Sequence, residues 1–159
     1  MHPPYLFLDI DGVLNAHERQ TNGWTSIDYR KVEALNMLLE NTGAKIVLTS
    51  AWRYFLHRGE MNLHGLNGLL ATHGLTWPSV IGVLEPEGLV ADRGSLVLTW
   101  LRRNWGGLPR GSLKGIAAVD DLDLGYSAAG VPFVQTCGTV GLTVEHCQRL
   151  AELLRRPCD

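Results

Sequence analysis

The chain has 159 residues, enough for one domain to bury a core without staples. A formal net charge of -2 with 45% hydrophobic residues excludes a broad basic field for nucleic acid and leaves only a local patch open. The three cysteines, Cys137, Cys147 and Cys158, are odd in number and scattered, which argues against a disulfide framework or a zinc site and for a reducing cytoplasm. A basic-then-apolar leader is not expected, and every apolar run is too short to span a bilayer.

The apolar run from Tyr5 to Leu8 predicts a buried strand. It ends in two aspartates one residue apart, Asp9 and Asp11, and then Gly12. On a regular strand both carboxylates would share one face and repel unless a cation or a shared proton relieved them. A hard divalent cation with oxygen ligands, Mg²⁺, is the simplest relief. Gly12 lets the backbone turn away directly after the pair. A polar loop over 16–26 follows, with Asn22-Gly23 as its turn signal. Ser26 or Asp28 caps a helix with Val32, Leu35, Leu38 and Leu39 at helical spacing, closed by Asn41-Thr42-Gly43.

Lys45 to Leu48 predicts a second buried strand, ending in Thr49-Ser50 and then Ala51-Trp52-Arg53. Tyr54 to Leu75 reads as one helix, weakened at Gly59, Gly65 and Gly68 by roughly 1 kcal/mol each. Val80 to Leu84 is a third strand, Ser95 to Trp105 a helix closed by Gly106-Gly107-Leu108-Pro109, and Ile116 to Val119 a fourth strand ending in Asp120-Asp121. Val131 to Val134 is a fifth strand, and Leu142 to Leu154 an amphipathic last helix with Thr143 as its cap. This alternation predicts a doubly wound, Rossmann-like α/β fold with a five-stranded parallel sheet, one domain over residues 1–159.

Ligands bind such sheets beyond the carboxyl ends of the strands. Asp9 and Asp11, Thr49-Ser50 and Asp120-Asp121 all stand at predicted strand ends, with Arg53 close by. A hydroxyl, two acidic pairs and a basic residue on one rim can hold a phosphate and a metal together. Taken singly, each has a plainer reading: an Asp-Gly turn, a helix cap and a polar turn.

FLDIDGVLN (7–15), KIVLTS (45–50) and IAAVDD (116–121), in that order, resemble the motifs of the haloacid dehalogenase (HAD) superfamily of phosphotransferases. The resemblance implies that Asp9 attacks phosphorus, that Asp11 serves as general acid and base, and that Thr49, with Ser50 next in line, binds the transferring phosphoryl group. It implies Mg²⁺ as cofactor, held by Asp9, by Asp11 through its backbone carbonyl, and by Asp120 or Asp121. The superfamily also uses a Lys or Arg beside the nucleophile. Arg93, at a helix start, faces the carboxyl-end rim, whereas Lys114 precedes a strand and starts from the opposite rim. Arg53 is a further phosphate or substrate contact. Dehalogenases lack the second aspartate, so Asp11 points to phosphate chemistry.

FLDIDGVLN, TGAKIVLTSAWR, RGSLVLTWL, VDDLD and the late GLT resemble, more narrowly, small HAD-like domains, some related to modules of RNA-repair proteins. The implied activity is a Mg²⁺-dependent phosphomonoesterase working through an aspartyl-phosphate. Its expected partner is a phosphorylated substrate, a nucleotide or a nucleic-acid end. A polynucleotide 3′-phosphatase and a non-catalytic module that keeps the fold are the alternatives. The stretches where the superfamily inserts cap domains are short here, which predicts a minimal cap and an open site. His57 and His64, seven apart, read as surface residues; Trp52 reads as packing or as a stacking face for a substrate ring.

Overall fold

A parallel sheet with helices on both faces organises the chain. The structure, a computed structural model, describes residues 2–15, 27–76, 78–86, 92–105, 107–108 and 113–155. In chain order the elements are β1 (Tyr5–Leu8), α1 (Tyr29–Thr42), β2 (Lys45–Leu48), α2 (Arg53–His57), α3 (Leu63–Thr72), β3 (Val80–Val83), α4 (Arg93–Trp105), β4 (Ile116–Asp120), β5 (Phe133–Gln135) and α5 (Val144–Leu154). The five strands pair in parallel in the order β3-β2-β1-β4-β5.

The strands are apolar throughout because both faces are covered. Leu6, Leu8, Ile46, Leu48, Ala117 and Val119 enter one core, shared with Leu35 of α1, Leu66 of α3 and Leu150 of α5. Tyr5, Phe7, Val47, Ile116 and Ala118 enter the other, against Leu96, Val97 and Leu101 of α4. Trp100 of α4 stands edge-on to Tyr5 and Phe7, with ring centroids 5.1 and 5.6 Å away.

The register fixes the rim. Leu8 of β1 is level with Leu48 of β2 and Val119 of β4. The next residue on each strand is therefore Asp9, Thr49 and Asp120. Neither connection that could carry a cap, residues 9–28 or 84–92, is long enough to fold as a separate unit. The cap is minimal.

Among the boundaries that differ from expectation, three have a clear local cause. The stretch 54–75 is two helices, because Gly59 takes a left-handed φ of 72° and Asn62 starts a new helix by accepting from Gly65 N. α4 begins two residues early, at Arg93, where the Asp92 side chain accepts from Ser95 N at 2.7 Å. β5 starts at Phe133 because Val131 N closes the preceding connection onto Tyr126 O. Asp28 is the α1 cap; Ser26, Asn22-Gly23, Gly106 and Pro109 lie outside the described residues.

α5 opens on a capping box that the sequence reading did not include. Thr143 Oγ1 accepts from His146 N (3.3 Å), and His146 Nδ1 accepts from Thr143 N (3.0 Å). Histidine here stands where Glu or Gln is usual. Burial and Arg149 hold its pKa below the ordinary value. Protonating Nδ1 removes the acceptor, so the folded chain binds this proton more weakly than the unfolded one. The contribution is full above the ordinary histidine pKa of about 6.5 and is lost as pH falls towards the lowered folded value. Thermal melts at about pH 7.5 and pH 5 should show an acid loss that is smaller in His146→Gln, which keeps an acceptor. Equal acid losses in both proteins would contradict this.

Candidate active site

The strand order reverses between β1 and β4: the chain runs outward through β2 and β3, then returns to the other side of β1. Such a reversal opens a crevice at the carboxyl ends of the two strands. Backbone bonds extend the sheet one step beyond the strands, from Asp9 N to Val119 O (3.1 Å), Thr49 N to Leu8 O (2.8 Å) and Thr136 N to Asp120 O (2.9 Å). The side chains of Asp9, Thr49 and Asp120 thus leave a held backbone, not a loose loop.

Asp9 and Asp120 are buried and Asp121 is half-buried, and one carboxylate oxygen of each lies within 4.8 Å of the other two. Arg93 stands among them, its side chain 13% exposed, with Nη1 3.2 Å from Asp9 Oδ1 and 2.6 Å from Asp120 Oδ2. Asp120 is held further by Tyr126 OH on Oδ2 (2.8 Å) and by Leu122 N on Oδ1 (3.2 Å). Burial, with Asp120 adding to it, pushes the Asp9 carboxyl up to about 8 although Arg93 opposes the shift. Burial also raises Asp120, against Arg93 and Tyr126. Burial works against the Arg93 charge, but Asp9 and Asp120 hold it above the ordinary arginine value.

Among the described residues, Asp9 and Asp120 therefore share one guanidinium, with Asp121 beside them. This all-oxygen donor set could hold a hard divalent cation, which would supply the charge that Arg93 alone does not.

Asp11 lies half-buried outside that trio. Its Oδ1 accepts from Asn15 Nδ2 (3.0 Å), while Asn15 Oδ1 accepts from Gly12 N (2.8 Å), so Asn15 braces the turn that carries it. Thr136 Oγ1 donates to Gly12 O (2.7 Å) from beyond β5. Gly12 has φ 80°, and a Cβ there would lie 2.5 Å from Asp121 Oδ2. Only glycine allows both this turn and the approach of Asp121.

Arg93 reaches the rim because α4 docks tightly at its start. Gly94 N donates to Leu124 O (3.2 Å), and a Cβ on Gly94 would sit 2.1 Å from Gly125 O. Any side chain at 94 would push the helix start, and Arg93 with it, off the β4–β5 connection. Lys114 is exposed in the turn that precedes β4.

Thr49 Oγ1 is buried beside the Tyr126 hydroxyl, and among the described residues no partner meets strict hydrogen-bond geometry with it. Ser50 is buried and its Oγ accepts from Trp52 N (3.2 Å). Arg53 is fully buried: Nη1 donates to Thr49 O, Nε to Glu85 O (3.3 Å) and Nη2 to Tyr54 OH (3.4 Å). It ties the end of β2 to the chain leaving β3. His57 Nε2 adds a second tie, donating to Leu84 O (2.8 Å); His64 is exposed on α3, and Trp52 packs against the core under α1 and α3. The structure thus gathers Asp9, Arg93, Asp120 and Asp121, sets Thr49 beside them, and places the Ser50 and Arg53 side chains in the scaffold below. Tyr126, Asn15 and Thr136 join the site without having been singled out in the sequence.

Residues 5–147 match the family described as the HAD domain in Swiss Army Knife RNA repair proteins. No curated protein matches the chain. Among solved structures, a Legionella pneumophila protein assigned to the hydrolases of HAD subfamily III A is similar, with 17% identity, 96% of this chain and 84% of that chain covered, and a TM-score of 0.46.

Proposed function

The chain belongs to the family of HAD domains of Swiss Army Knife RNA repair proteins, and from that membership we propose that it is a Mg²⁺-dependent phosphomonoesterase acting on a nucleotide or a nucleic-acid end. The observation that carries the reading is the meeting of Asp9, Asp120 and Asp121 around Arg93 at the reversal point of the sheet.

In the proposed cycle an Asp9 oxygen attacks phosphorus in line, forming an Asp9–phosphorus bond as the bond to the leaving oxygen breaks. Asp11 gives its proton to that oxygen. Water then attacks phosphorus and passes a proton to Asp11; the Asp9–phosphorus bond breaks, releasing inorganic phosphate and restoring the Asp9 carboxylate. Arg93 supplies positive charge beside Asp9, and the buried Thr49 hydroxyl donates to a phosphoryl oxygen. Asp9, Asp120 and Asp121, with the Asp11 carbonyl, would hold Mg²⁺, and its charge would offset the repulsion between carboxylate and phosphate. Arg53 and Ser50 are read as supports for Thr49 instead of direct phosphate contacts.

The RNA-repair family and the minimal cap favour a polymer end over a small sugar phosphate. Among the described residues no helix is long and apolar enough to cross a membrane. The free thiols of Cys137 and Cys147 suit a reducing cytoplasm.

The test is a phosphate-release screen of 3′- and 5′-phosphorylated oligonucleotides, nucleoside monophosphates and sugar phosphates. End-phosphorylated oligonucleotides should be turned over fastest. Excess EDTA should stop release, Mg²⁺ should restore it and Ca²⁺ should not, because Ca²⁺ accepts more oxygens and draws both Asp9 oxygens into bidentate ligation, which blocks attack. A preference for sugar phosphates would overturn the substrate; full turnover in EDTA would overturn the metal.

A further inference from the structure

We infer that Tyr126 is a positioning residue whose phenol sets the Asp120 carboxylate for metal binding and links it to Thr49; this rests on the metal-dependent reading above. Tyr126 lies in the connection between β4 and β5 and is fully buried. Its ring stacks on Phe133 at 4.8 Å and 22°, so packing is done by the ring. Its oxygen does something else: it donates to Asp120 Oδ2 at 2.8 Å. The same oxygen of Asp120 takes Arg93 Nη1, and Oδ1 takes Leu122 N. Asp120 is thus oriented from three directions, by a phenol, a guanidinium and a backbone N–H.

Of the three, the phenol also borders β2. Having donated to Asp120, its oxygen keeps lone pairs, and the buried Thr49 hydroxyl stands beside it within reach of them. That proton can be offered to the phenol or to a bound phosphoryl oxygen. The phenol therefore stands between the phosphoryl-binding hydroxyl and the metal-binding carboxylate. Its own position is held by the same docking that places Arg93, since Gly94 N is bonded to Leu124 O and Gly125 turns with φ 87° against Asp92.

Groups that orient a ligand in this way typically change metal affinity by roughly 10–100-fold when removed. In the full chain stripped with EDTA, Tyr126→Phe should melt cooperatively. The Mg²⁺ concentration that half-raises its melting temperature should lie roughly 10–100-fold above that of the wild type. A merely structural role would lower the melting temperature equally at every Mg²⁺ concentration without moving that midpoint, and this result would overturn the inference. So would a wild type that Mg²⁺ does not stabilise. A shifted midpoint in a protein that releases no phosphate would sink the phosphatase reading and leave the role of Tyr126 standing.

If Tyr126→Phe does not fold, the wild type labelled with 3-fluorotyrosine carries the test. The four tyrosines are Tyr5, Tyr29, Tyr54 and Tyr126, and phenylalanine variants of the first three assign the fourth fluorine signal by elimination. That signal should move with Mg²⁺ while the others stay; a fixed Tyr126 signal would overturn the inference.

Discussion

Asp9→Asn should lower turnover by at least about four orders of magnitude and leave the protein folded. An amide nearly matches the carboxylate in shape but is a far poorer nucleophile, so the first bond to phosphorus does not form. The structure adds a sign for stability. The folded pKa of Asp9 is raised to about 8 from an ordinary 3.8, by burial first and Asp120 second. A raised carboxyl pKa means that the folded state resists ionisation, so at neutral pH Asp9 lowers stability, as a buried charge or by taking up a proton. The neutral amide avoids that cost, although it gives up part of the attraction to Arg93. In EDTA, Asp9→Asn should melt at or above the wild-type temperature. Phosphate release at a wild-type rate, in a preparation shown by mass to be free of deamidated protein, would end the nucleophile assignment.

Arg93→Ala should have the second largest effect, in the opposite sense for stability. Removing a charge-stabilising donor costs on the order of 10²–10³ in turnover. It also takes from two buried carboxylates the cation they share among the described residues, Arg93 Nη1 being the partner of both Asp9 and Asp120. Breaking a buried pair in this way costs about 3–5 kcal/mol. The loss should be largest in EDTA and should shrink as Mg²⁺ neutralises the cluster. Lys114→Ala should change neither quantity, because Lys114 is exposed in the turn before β4. Melting and phosphate release, each with EDTA and with Mg²⁺, decide the matter. A damaging Lys114→Ala beside a harmless Arg93→Ala would remove Arg93 from the site.

What could be read in advance was whatever rests on strand periodicity and direction. KIVL and IAAV are apolar on both faces, so they had to be interior strands, and the acidic and hydroxyl residues after them had to leave at one rim. Arg93 was placed by helix direction alone. Other features depended on contacts that a single sequence does not display. The apolar spacing of 54–75 continues through Gly59, and nothing local says that this glycine breaks the helix. Arg53 closely follows Thr49-Ser50 in sequence, but the turn at 50–53, with Arg53 N on Ser50 O, sends its side chain inward to Thr49 O and Glu85 O. Tyr126 sits in DLDLGYSAAG, a stretch with no periodicity, and becomes a site residue only because α4 presses on Gly125. Asp120 and Asp121 could not be told apart as metal ligands in the sequence, and both enter the acidic cluster.

The central claim is that phosphorus is carried by the side chain of Asp9. The most direct measurement quenches the enzyme during turnover, reduces the acyl phosphate with borohydride and maps the altered residue by peptide mass spectrometry. An acyl phosphate on Asp9 would be reduced to an alcohol, converting residue 9 to homoserine, and the yield should fall to background without substrate. Turnover that continues with residue 9 unmodified, or with the alcohol appearing at Asp11, Asp120 or Asp121 instead, would contradict the account.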